Sequence, residues 1–217
     1  IGYNALKSTT TQNEATAVGY LAAEDLAGGT FGTSAFGVRS LSNFTTGWGN
    51  TGIGHEALYS QEAAGTGSSN TAVGYQAMRG ATSSTAISGS QNTAVGGNAL
   101  EDITSGAANV AVGYQSFTNV TSGSYNIGLG MRTGQNTTTG TRNIAIGDHT
   151  FKTNSTGTDM VAIGHNAAEA ATAGYSVVIG SLAQETGTGS YNVFLGYRAG
   201  YDSDSTQSVA LGYGAAE

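Results

Sequence analysis

Cysteine and proline are both missing from the 217 residues, and charge is scarce, with Asp, Glu, Lys and Arg making up only 10% of the chain. Without cysteine there are no disulfides and no thiolate metal centres. Seven Lys and Arg stand scattered against fourteen Asp and Glu. A phosphate backbone needs clustered cations to release its counterions, so no nucleic-acid partner is expected, and anionic membrane surfaces are disfavoured for the same reason. No window approaches eighteen apolar residues, so no segment is a candidate for membrane insertion. Large side chains are also few, which argues against the thick core of an ordinary globular domain. The chain opens at Ile1-Gly2, inside a repeat and without a leader. It is therefore expected to be a segment of a longer protein.

What is present is glycine, 35 residues of it, together with Ala, Ser, Thr and Asn. These residues are organised as one repeat, and a repeat decides the fold before any other feature. Its clearest copy is Asn70-Thr71-Ala72-Val73-Gly74-Tyr75-Gln76-Ala77-Met78, and related copies run from Asn92 to Leu100 and from Asn109 to Phe117. The central glycines are Gly2, Gly19, Gly37, Gly54, Gly74, Gly96, Gly113, Gly130, Gly147, Gly164, Gly180, Gly196 and Gly212, spaced 16 to 22 residues apart. The fold expected is all-β: a solenoid of about thirteen coils over residues 1–217, a single repeat domain. The glycines after the first are read as turn glycines.

The columns of the repeat carry the physics. Before each glycine stands a large apolar residue, among them Val18, Phe36, Ile53, Val73, Val95, Val112, Leu129, Ile146, Ile163, Ile179, Leu195 and Leu211. Two residues earlier the first half has Thr or Ser (Thr16, Ser34, Thr51, Thr71, Thr93) and the second half Val or Ile, from Val110 to Val209. The position between them is mostly Ala or Gly. Spacing of two is strand spacing, not helix spacing, and the branched residues suit strands. The branched face, Val18, Ile53 and their equivalents, is taken as the structural core. The Ala/Gly strip is then left outside, where small residues permit other copies of the chain to pack closely around a three-fold axis. Each unit is read as two short strands with a turn at the glycine, and thirteen coils at ~4.8 Å give a rod of roughly 60 Å.

Several groups invite a chemical reading. Asn stands four residues before seven of the glycines (Asn50, Asn70, Asn92, Asn109, Asn126, Asn143, Asn192) and is assigned a structural ladder. Tyr3, Tyr20, His55, Tyr75, Tyr114, His165, Tyr197 and Tyr213 follow glycines as a broken stripe, read as edge cover or packing between chains rather than as sugar anchors. His55, His149 and His165 have no carboxylate at ligand spacing in this reading, so no metal and no cofactor is expected. Glu24, Glu101, Glu169, Glu185 and Glu217 share a column five residues after the glycine. A polysaccharide hydrolase would need two carboxylates facing a groove, but no groove-forming insertion is visible, and no enzyme is expected. Calcium binding lacks its Gly/Asp nonapeptide, and ice binding is set aside because the Thr column is assigned inward. The longer loops, Tyr59 to Ser69 and Arg79 to Gln91, are the candidate recognition elements, with Tyr59 and Arg79 as candidate receptor contacts.

Asn143-Ile144-Ala145-Ile146-Gly147 and Val161-Ala162-Ile163-Gly164 resemble the head repeats of trimeric autotransporter adhesins, and Asn-Thr-Ala-Val-Gly-Tyr-Gln-Ala resembles repeats of bacteriophage tail fibres. The likeness spans essentially the whole chain. It implies a left-handed parallel β-roll, three chains per fibre, and a place on a virion or cell surface. The function it implies is a structural and adhesive segment of a phage tail fibre that contributes to host attachment through a surface glycan or protein. The alternatives are the head of a bacterial trimeric adhesin and, further off, a polysaccharide-degrading spike.

Overall fold

A computed structural model describes residues 1–8, 14–26, 31–61, 64–80, 86–171 and 174–216. Twelve three-residue strands follow one another along the chain: β1 (Thr16–Val18), β2 (Ser34–Phe36), β3 (Thr51–Ile53), β4 (Thr71–Val73), β5 (Thr93–Val95), β6 (Val110–Val112), β7 (Ile127–Leu129), β8 (Ile144–Ile146), β9 (Val161–Ile163), β10 (Val177–Ile179), β11 (Val193–Leu195) and β12 (Val209–Leu211). All pair in parallel, in sequence order, in one sheet. The register never slips: Thr71 faces Thr93, Ala72 faces Ala94, and Val73 faces Val95. The chain is thus a β-solenoid of about eleven turns, with no helix among the described residues. Eleven steps of ~4.8 Å make the sheet about 53 Å long. Ile1 and Gly2 add a thirteenth repeat glycine without a strand of its own.

The strands face the other way from the expectation. In every one of the twelve, the middle residue is buried and its two neighbours are not. Ala72, Ala94, Ala111, Ala145 and Ala162 are fully inside. Val18, Ile53, Val95, Val112, Leu129 and Leu211, assigned to the core, lie on the outer surface, 37% to 65% exposed. Val73, Ile146, Ile163, Ile179 and Leu195 share that outward orientation, half-covered by the coils above and below. The cause is the narrow cross-section. Large residues do fill the interior, but they enter from the opposite wall. Four residues after the glycine come Leu41, Leu58, Met78, Leu100, Phe117 and Phe151, and seven after it Leu26, Phe44, Ile103 and Val120, all buried. A wall facing such side chains at close range must itself be small, because interiors are packed to crystal density.

Volume is balanced coil by coil. In the coil of β11 the strand carries Phe194 instead of Ala, and the opposite wall carries Gly200 instead of Leu. A Cβ on Gly200 would stand 2.5 Å from the Phe194 ring. Phe117 likewise occupies the space left by Gly128 and Gly134 of the next coil. Hydroxyls on the small wall are satisfied by backbone: Thr133 Oγ1 donates to Gly147 O and Thr150 Oγ1 to Gly164 O, both at 2.6 Å.

The second strand expected in each unit is absent among the described residues, and a turn ladder replaces it. The residues two and four after the glycine have positive φ in coil after coil, including Gln76 (52°), Met78 (51°), Gln115 (54°) and Phe117 (50°). Their N–H groups alternate direction. Gln76 N donates to His55 O of the preceding coil, and Met78 N to Ala99 O of the next, both at 2.9 Å. A bulky residue at positive φ costs about 1–3 kcal/mol, offset here by the inter-coil hydrogen bond and by burial. The repeat glycine is required twice over. Gly113 has φ 134°, and a Cβ there would lie 2.7 Å from the backbone carbon of Gly130.

Candidate functional site

The asparagine column is wholly internal. Asn70, Asn92, Asn109 and Asn126 are fully buried. Each Oδ1 accepts the backbone N–H of the residue one coil on, from Asn50 to Asn70 (2.9 Å) through Asn126 to Asn143 (3.1 Å), and Met160 N closes the run on Asn143 Oδ1. From Asn50 to Asn143 each Nδ2 donates to a glycine carbonyl, as Asn92 does to Gly106 O at 2.9 Å, and Asn192 Nδ2 donates to Ser205 O. No free donor or acceptor is left for a ligand, and the column acts as a continuous internal brace.

Ionic groups form a second set of ladders. Lys7 meets Glu24, Arg39 meets Glu56, Arg79 meets Glu101, Arg142 meets Asp159 and Lys152 meets Glu169, each pair joining like positions of adjacent coils. Hydrogen bonds from Arg142 hold the Asp159 carboxyl below its usual range, and burial raises that of Asp102 against the Arg79 charge. Arg79, a candidate receptor contact, spends its cation on Glu101 at 2.6 Å. Tyr59 lines a surface groove with Leu21, Glu24, Arg39, Ser42 and Asn43. Residues 62–63 and 81–85 of the two candidate loops, and Glu217 of the acidic column, lie outside the described residues. The other acids of that column each have a neighbour: Lys7 for Glu24, Arg79 for Glu101, Lys152 for Glu169 and Asn166 for Glu185.

The outward sheet face differs from both ladders. Its two columns hold 24 residues, none of them charged; all 21 Asp, Glu, Lys and Arg lie elsewhere in the repeat. Val, Ile, Leu and Phe dominate, with Thr or Ser in the first five strands. Thr16, Thr51, Thr71 and Thr93 therefore point outward, which reverses the ground for setting ice binding aside. The hydroxyl array is nonetheless one residue wide and ends at β5, too narrow for a flat grid. Aromatic rings flank the apolar band. Tyr3 stacks on Tyr20 (5.5 Å), His55 on Tyr75 (5.4 Å) and Tyr197 on Tyr213 (5.2 Å) in one column, and Tyr175 on Tyr191 (5.0 Å) in another. The second column stands five residues before the glycine.

One cluster was missed. Asp148, His149 and His165 bring one ligand atom each within 4.8 Å of the others. The expectation that no carboxylate stands at ligand spacing from the histidines is thereby corrected at Asp148. Asp148 and His165 both directly follow a repeat glycine, and the register of β8 and β9 sets them side by side.

Comparison with known protein families, with curated proteins and with solved structures returns no match for this chain.

Proposed function

We propose that this chain is a rod segment of a homotrimeric surface fibre, of the kind that phage tail fibres present to a host, and that its outward sheet face is the contact between copies. The observation that carries the reading is the face itself: an apolar band without a charge along all twelve strands. The two outward strand columns measure ~53 Å by ~10 Å, about 500 Å² of unbroken uncharged surface, at the upper end of the roughly 300–600 Å² of the largest apolar patch on a typical monomer. A second copy matches it best, because only a partner with the same ~4.8 Å repeat stays in register over eleven turns. The small-residue strip expected to serve this contact is inside the coil, so the branched face takes its place. Three copies, and attachment to a host glycan or protein, follow from the resemblance to fibre repeats.

The test is the mass of the particle for the wild type and for Val95→Lys/Val112→Lys/Leu129→Lys. The wild type is expected at three times 21.7 kDa and the variant at one, with unchanged circular dichroism. A wild-type monomer overturns the interface, and a dimer overturns the copy number while keeping the face.

A further inference from the structure

We propose that Asp148, His149 and His165 form a binding site for one divalent transition-metal ion of the zinc class. Asp148 and His149 follow β8 and Gly147, and His165 follows β9 and Gly164. Because Ile146 pairs with Ile163, the residues two places on are one coil apart and aligned. Backbone bonds fix both turns: Asn166 N donates to Asp148 O, and His149 N to Met131 O, both at 3.1 Å. The three side chains are thus delivered by the scaffold rather than by a mobile loop.

The position of this carboxylate is singular in the repeat. Five other acids meet a Lys or Arg of the adjacent coil in their own column. Asp148 is the only charged residue directly after a repeat glycine, and its ion-pair partner among the described residues is His149. Its Oδ1 lies 2.8 Å from His149 Nδ1 yet is buried without a hydrogen bond. That oxygen, the His149 ring and the His165 ring therefore face one another with no other described protein group between them to satisfy the carboxylate. The His165 ring stands edge-on to His149 with centroids 6.5 Å apart.

Two imidazoles and one carboxylate suit zinc, cobalt, nickel or copper, and not calcium or magnesium, which take mostly oxygen ligands. Bonds of ~2.0–2.2 Å in a tetrahedron place ligand atoms about 3.4 Å apart. Small rotations of the three side chains close the present 4.8 Å to that value. His165 is exposed and His149 half-buried, so the fourth position opens to solvent or to a ligand from outside.

Zinc titration with equilibrium dialysis tests the site, using the wild type, Asp148→Asn, His165→Gln and His55→Gln. One zinc per chain is expected. Asp148→Asn and His165→Gln should each weaken binding at least about tenfold, and His55→Gln should leave it unchanged. Cobalt in the wild-type site should give the visible absorption of a tetrahedral ion, a readout that needs no variant to fold. Absence of that band, affinity insensitive to Asp148→Asn and His165→Gln, or equal loss in His55→Gln overturns the proposal.

Discussion

Ala94 and Val95 are neighbours in β5, yet one is fully buried and the other is 37% exposed. The two faces of this strand answer to different constraints. The inward face is fixed by the opposite wall of its own coil, where Leu100 sits. The outward face has no wall among the described residues and is still apolar, the feature on which the proposed contact between copies rests. Size decides the first face, and absence of charge decides the second.

Substitutions around β5 sharpen that contrast. Ala94→Phe is expected to cost about 3 kcal/mol or more, because a ring meets Leu100 across a full interior. Adding Leu100→Gly should recover much of the loss, since it recreates the Phe194/Gly200 pairing of the coil of β11. Chemical denaturation of the single and double variants measures both. Gly96→Ala comes next, at about 2–3 kcal/mol, from a φ of 135° and a Cβ 2.7 Å from the backbone carbon of Gly113. Asn92→Ala should cost about 2 kcal/mol, because Asn109 N and Gly106 O lose the Asn92 amide inside the solenoid and Asn109 Nδ2 loses one of its two acceptors. Val95→Lys, one residue from Ala94, should change the unfolding of a single chain by less than about 1 kcal/mol.

The smallest effect belongs to the outer ladder. Arg142→Gln frees the partly exposed Asp159 carboxyl, whose folded pKa lies below its unfolded value. That pair stabilises the fold above the unfolded pKa and loses its contribution as pH falls through the folded one. The variant should therefore flatten the acid limb of the thermal-melting profile slightly and leave neutral pH almost untouched.

Much of this was legible in the sequence because the repeat is exact where the backbone stacks. Strand positions such as Thr71–Val73 and Val110–Val112 follow from spacing and branching, and the Asn50-to-Asn143 column reads as structural. Which face turns inward was not legible from alternation alone, since a period of two fixes parity but not sign. The sign lies in correlations across the coil. Phe194 coinciding with Gly200, and Phe117 with Gly134 of the next coil, mark the walls that share one interior. The turn ladder replaced a predicted strand because positive φ at Met78 or Phe117 runs against every local preference of those residues. The Asp148–His165 pairing was encoded too, since both stand one place after a repeat glycine, but it emerges only when unlike residues of one column are compared.

The outward face is tested most directly with a nitroxide on Val112→Cys, in a chain with no cysteine of its own. If copies pack through this face, pulsed dipolar spectroscopy will show spin–spin distances on the order of 10–20 Å, and dilution with unlabelled chains will erase them. A labelled chain that folds but shows no coupling between molecules would contradict the packing of copies through β1 to β12.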